Sequence, residues 1–179
     1  FTRQSIAREG GADKARRPYT PDQDRPGPYA GRGNDNEWGA ELADTLTRLM
    51  NAELSVVSDR YDRACALAYP GGIEARSHEA AERFWTGLRC AFPSAQFRID
   101  HQIGIEDRFL GPRAAVRWSL DGTHDGWGMF GAPTGAPVHV MGIAHAEYGP
   151  FGPDGIGLRR ECALFDETAI WKQILLHTG

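Results

Sequence analysis

The hydrophobic period changes once along this chain, near Pro93, and that change constrains the fold class more than any other feature. Before it, apolar side chains recur every three to four residues, as one buried face of a helix requires. Trp38, Leu42, Leu46 and Leu49 form such a stripe, with Asn34 and Glu37 spaced like a capping box, and predict a helix over about 36–51. Leu54, Val57, Tyr61, Cys65 and Ala68 predict a second helix over about 53–68, ended by Tyr69-Pro70-Gly71-Gly72. Ser77 is a natural cap for a third, whose stripe is Ala80, Phe84, Leu88 and Ala91 and whose stop is Phe92-Pro93. Beyond Pro93 the period is two. Phe97, Ile99 and His101 alternate with polar residues, a turn follows over 106–112, and Ala114, Val116, Trp118 and Leu120 alternate in the same way. Val138 to Glu147 and Leu158 to Phe165 are strand-like. Ile170 to Leu176 is a short helix or an apolar tail. Helices first and strands second is the α+β pattern, with helices packed on one face of a sheet.

The 179 residues suit one domain with an additional arm, not two full domains. Residues 1–34 differ from the rest. They hold Pro18, Pro21, Pro26 and Pro28, few large aliphatics, and seven basic against four acidic side chains. The remaining 35–179 carry the acidic excess, so that the whole is −4. The composition of 1–34 predicts a linker or loosely packed basic arm. A sharper alternative is an arm that contacts the acidic body or a partner through Tyr19 and Tyr29. The start at Phe1, with no initiator Met, also fits the second half of a longer tandem protein. Net negative charge speaks against a nucleic-acid binder, and no apolar run reaches the roughly 20 residues of a membrane span. Cys65, Cys90 and Cys162 stand apart and are read as free thiols of a reducing, cytoplasmic setting. The Arg-heavy, Gly- and Ala-rich composition fits a bacterial source.

Several residues are candidates for chemistry. His139, Met141, Ile143 and His145 share one strand face, apolar with two imidazoles, as a pocket wall would be. Val138, Val140, Gly142, Ala144 and Ala146 on the other face are small enough to lie under helices. Which face meets a cavity is left open by this pattern. Trp85, Trp118, Trp127 and Phe130 are aromatics that would surround an apolar ligand, or plain core. His124, in Gly122-Thr123-His124-Asp125-Gly126, is a pocket-rim donor or a turn stabiliser. The histidines lack metal-ligand spacing, so no metal is expected. Neither a GxGxxG loop nor a nucleophile elbow is present.

Ala91-Phe92-Pro93, Asp107-Arg108, the 122–126 stretch, Gly131-Ala132-Pro133-Thr134-Gly135, Gly142-Ile143, Arg160-Glu161, Asp166 and Gln173 together resemble the SnoaL-like polyketide cyclases. That family lies within the superfamily of nuclear transport factor 2 and ketosteroid isomerase. The resemblance covers about 35–179. It implies a cone: a curved antiparallel sheet wrapped around N-terminal helices, with a pocket at the open end. It further implies cofactor-free cyclase or isomerase chemistry on a small apolar or polyketide-like molecule, and a homodimer or higher homo-oligomer. Asp166 matches the family's acidic position and is the first candidate acid/base, a helix cap being its plainer role. Glu161 is the second, with an ion pair to Arg159 or Arg117 as the plainer role, and His145 is the partner. In an ideal strand 161 and 166 face opposite ways. The rival function is a non-catalytic binding or assembly domain, since fold does not decide function.

Overall fold

The computed structural model describes residues 1–18, 20, 31 and 33–179. Tyr29 and most of the Pro-rich part of the arm, with the extended segments and aromatic anchor expected there, lie outside the described residues, as does Tyr19. The chain runs α1 (Thr2–Arg8), α2 (Glu37–Met50), α3 (Ser55–Arg60), β1 (Tyr61–Tyr69), a single turn Pro70–Gly72, β2 (Ile73–Arg76), α4 (His78–Ala91), β3 (Gln96–Asp107), β4 (Gly111–Thr123), β5 (Pro137–Gly149), β6 (Gly157–Phe165) and α5 (Glu167–Thr178). The six strands form one curved, unclosed sheet in the order β2-β1-β6-β5-β4-β3. All neighbours are antiparallel except β1 and β6, which run parallel. The architecture is the α+β arrangement that the change of period requires.

α2 forms where its stripe predicts, and it buries Leu42, Leu46 and Leu49. Its cap is Asn36, whose side chain accepts from the Trp38 amide at 3.0 Å. Asn34 does something else. Its amide side chain donates to the Gly104 carbonyl at 2.8 Å and accepts from the Gly104 amide at 2.9 Å. This satisfies backbone groups of β3, an edge strand of the sheet. α4 likewise buries Ala81, Phe84, Trp85, Leu88 and Ala91.

The helix expected over 53–68 is a correction. Only Ser55–Arg60 is helical, and Tyr61–Tyr69 is a strand. Tyr61 and Cys65 lie four apart, which mimics a helical face, but Cys65, Leu67 and Tyr69 alternate and are all buried. Pairing on both sides, with β2 and β6, outweighs the local pattern.

The core fills the space between α2, α4 and the concave face of the sheet. Val138, Val140, Gly142, Ala144 and Ala146 face this core. Gly142 pairs with Trp118 across β4 and β5. A Cβ at Gly142 would overlap the Trp118 indole, so the missing side chain is the seat of that ring. The Gly-rich stretch after β4 serves a similar purpose. The Gly126 and Met129 amides donate to the Ala91 and Gly87 carbonyls of α4. Gly128 comes so close to Gly87 and Ala91 that any Cβ would clash. The stretch is pinned to the end of α4 and is not free to fold over a ligand.

The front of the arm is helical, which its composition did not indicate. α1 packs on α5 with Ile6 buried. Its ion pair runs opposite to the expected charge sense: Glu9 of the arm accepts from Lys172 of α5 at 2.7 Å. That hydrogen bond, with one from the Arg16 amide, holds the Glu9 carboxyl below its usual range. No helix among the described residues is long and apolar enough to cross a membrane.

Candidate functional site

The inner face of β6 carries one charged residue into the core. Glu161 is fully buried, facing inward with Ala163 and Phe165, between Leu67 of β1 and Ala146 of β5. Isolated burial of a carboxylate is costly unless it is hydrogen-bonded. Here the Tyr69 hydroxyl donates to one carboxyl oxygen at 2.6 Å. The Trp85 indole N–H donates to the other at 3.2 Å. β1 supplies the first donor and α4 the second, so the carboxyl joins the sheet to the helix that covers it. Burial dominates these bonds and raises the Glu161 pKa to about 7. At neutral pH the group holds and loses its proton with similar ease.

Rings surround this carboxyl. Tyr69 stacks on Phe84 with centroids 3.8 Å apart and planes 6° from parallel. Trp85 meets Trp118 edge-on at 6.1 Å, and Phe165 lies 6.1 Å from both Phe84 and Trp118. Among the described residues the Trp118 indole N–H is buried without a hydrogen-bond partner, and the Tyr61 hydroxyl, though it makes no bond of ordinary geometry, lies close enough to Glu161 to help hold its pKa down. Burial and then the Glu161 charge raise the Tyr61 phenol well above its usual range, and they push the Cys65 thiol up in the same way. Both stay protonated. The chemical inventory is therefore one titrating carboxyl, the Tyr69, Trp85 and Tyr61 donors around it, and one further donor, the Trp118 indole N–H.

The other sequence candidates are placed elsewhere. Asp166 follows the last residue of β6 and caps α5, its carboxylate accepting from the Ala169 amide at 3.0 Å. The side chain is exposed, whereas Glu161 is fully buried. His145, Met141 and His139 lie on the outer face of β5, opposite to the face of Glu161. Their apolar neighbours made that face look like a pocket wall, but Met141 is 43% and Ile143 52% exposed. The pairing of Glu161 with His145 is thus corrected by strand alternation. His139 bonds Asp121 at 2.5 Å, and its backbone is clamped by the Gln173 side chain, which accepts from its N–H and donates to its C=O. His124 is buried in the turn reading: its Nδ1 meets the Thr134 hydroxyl at 3.0 Å, and its backbone bonds Ala136, Thr134 and Gly135. Burial lowers its pKa. Trp127 points to solvent, 73% exposed, while Phe130 packs between Phe92 and Trp171.

Of the ten residues named from sequence, the structure brings three together: Glu161, Trp85 and Trp118. It adds Tyr69 and Tyr61, which the helical reading of 53–68 concealed. The alternation of Cys65, Leu67 and Tyr69 is the signal that identifies them. Among the described residues no ion pair to Glu161 is seen, and Arg159 bonds Glu147. Among the described residues no cluster of three or more His, Cys, Asp or Glu side chains is arranged to hold a metal. A surface cavity of about 420 Å³ lined by Arg17, Asp121, His139 and His177 lies apart from Glu161.

A family model described as SnoaL-like polyketide cyclase matches residues 40–148, more than half of the chain. No curated protein sequence matches it. Among solved structures, a protein from Jannaschia sp. provisionally assigned as a SnoaL-like polyketide cyclase is 18% identical. It covers 79% of this chain and 96% of its own, with a TM-score of 0.61. IdmH of Streptomyces antibioticus, provisionally assigned as a polyketide cyclase, is 17% identical, covers 78% of this chain and 99% of its own, and scores 0.61. AclR of Streptomyces galilaeus, provisionally assigned as a hydroxylase, is 19% identical, covers 77% and 80%, and scores 0.60. At these identities the likeness is one of fold.

Proposed function

The chain belongs to the SnoaL-like polyketide cyclase family, and from that premise we propose that it is a cofactor-independent acid/base enzyme of the cyclase or isomerase type acting on a small enolisable molecule. One observation carries this reading: a buried carboxyl with a pKa of about 7, set among rings beside the Tyr61 phenol and an unpartnered indole N–H. General acid–base catalysis works best when the catalytic pKa lies near the working pH. Ionised Glu161 removes a proton from carbon next to a carbonyl. The enolate oxygen accepts a hydrogen bond from Trp118, joined by Tyr61 once Glu161 has taken the proton, and protonated Glu161 returns the proton after ring closure or double-bond migration. Tyr69 and Trp85 hold the carboxyl in place through both halves of this cycle. Because Glu161 is fully buried, the rings over it must part to admit substrate. Tyr69 precedes Pro70-Gly71-Gly72, whose two glycines have positive φ, and Phe84, its stacking partner, is the most exposed ring of the set.

The ring-filled interior also favours a second reading, a non-catalytic binding or assembly domain in which Glu161 is a structural carboxyl. One experiment separates the two. The protein is incubated in deuterated water with a panel of cyclic and aromatic ketones, and α-proton exchange is followed by NMR. The enzyme reading predicts exchange above background and a loss of about 10²–10⁴-fold in Glu161→Gln. It further predicts unchanged exchange in Asp166→Asn. Exchange at background for the whole panel, or equal rates in wild type and Glu161→Gln, supports the binding domain.

A further inference from the structure

A cavity of about 440 Å³ lies between the start of α2, the end of α3 and the connection from β5 to β6. Four carboxylates line it: Glu37, Glu41, Asp59 and Asp154. Among the described residues the one cation in its wall is Arg60, which is already engaged, bonding Glu41 at 2.9 Å and Asp44 at 2.8 Å. Asp59 has its nearest cation, Arg48, at 3.7 Å, and Arg48 is closer to Glu53 at 3.0 Å. Counted over the described residues, the cavity therefore keeps an excess of negative charge. Its aromatic wall is Trp38 and Tyr148, with centroids 4.7 Å apart and planes tilted by 45°.

An acidic surface alone implies only solvation. Two further atoms point to a ligand. The Tyr148 hydroxyl and the Trp38 indole nitrogen are buried without a hydrogen-bond partner, and the Tyr148 residue is only 4% exposed. Burial and then the Glu41 charge raise the Tyr148 phenol, which stays protonated beside the cavity's acids. Buried polar atoms are costly to leave unpaired. A cation against the partly exposed Trp38 ring, ringed by carboxylates, satisfies the charge, and a hydroxyl on the same ligand satisfies the donors.

We propose that this cavity binds a small organic cation, a hydroxyl-bearing alkylammonium, with the charged head against Trp38, its hydroxyl toward the Tyr148 phenol and the carboxylates at its rim. Tyr148 also belongs to the core on its other side, where it flanks Leu158 opposite Tyr61. The site is thus separated from the Glu161 interior by a phenol. Its occupancy does not depend on Glu161 moving a proton, because binding is read without turnover.

The test uses choline and its uncharged tert-butyl analogue, titrated into the full chain by calorimetry and by NMR of the Trp38 indole N–H. Choline is expected to bind and shift that resonance, with the analogue at least about tenfold weaker, the equivalent of about 1.4 kcal/mol. The double variant Glu37→Gln, Asp154→Asn changes only exposed side chains. It is expected to weaken choline several-fold and leave the analogue unchanged, and Tyr148→Phe is expected to weaken choline on a folded protein. Equal affinity for choline and the analogue, no shift at Trp38 under saturating choline, or an unaltered choline affinity in the double variant overturns the proposal.

Discussion

Replacing Glu161 by Gln removes a titrating proton while keeping the shape and hydrogen-bonding capacity of the protonated acid. The unfolded chain titrates this carboxyl near 4.5, whereas the folded protein holds its proton until about 7. Below the lower value the group is protonated in both states. Between the two values the native state alone binds the proton, so stability falls as pH rises, by about 1.4 kcal/mol per unit. Above the folded value the loss levels off at about 3 kcal/mol. Glu161→Gln has no such loss. Urea unfolding of both proteins across this range is the assay. The stability difference between variant and wild type should move by about 2–3 kcal/mol in favour of the variant between pH 5 and 8. Subtraction cancels every other titrating group that the substitution leaves alone. Parallel profiles, offset by a constant, would refute a proton held up to neutrality by burial.

Tyr69→Phe removes the shorter bond to the carboxylate, which lowers the Glu161 pKa. The substitution should therefore raise that pKa and displace the pH dependence of proton exchange to higher pH. An unchanged profile contradicts this. Gly142→Ala drives a methyl into the Trp118 ring and should cost about 1–3 kcal/mol in chemical denaturation. A neutral result means the indole has room. Asp166→Ala removes a cap and should cost about 1 kcal/mol without altering exchange, which a fall in exchange at constant stability contradicts. Lys172→Ala releases Glu9 and should expose the segment ahead of Pro18 to limited proteolysis at lower protease concentration than in wild type. Identical digestion patterns show that the packing of α1 on α5 holds the arm without the ion pair.

The elements that read most clearly are those whose two faces differ. α2 and α4 bury one stripe each, and β4 alternates buried and partly exposed residues from Gly111 to Trp118. β1 was hidden because Tyr61 and Cys65 share a helical spacing and because its pairing partners, β2 and β6, are remote or short. β5 misled in a different way. Met141 and Ile143 make its outer face apolar, so polarity gave no sign of which side carried the core; the size of Val138, Gly142 and Ala144 did. For the site, the parity of 161 and 166 is informative: strand alternation turns Glu161 inward and the end of β6 leaves Asp166 as a cap. Tyr69 and Trp85 come to Glu161 from 92 and 76 residues away, distances over which no local pattern carries information.

The state of one carboxyl underlies both the fold's pH dependence and the proposed chemistry. Carbon-13 labelling of glutamate side chains, with Glu161→Gln to assign the resonance, allows that carboxyl to be titrated directly. Burial among Tyr69, Trp85 and Phe165 predicts a midpoint near 7. A midpoint at the ordinary glutamate value of about 4.3 would contradict it, and with it the role of Glu161 as a proton carrier at neutral pH.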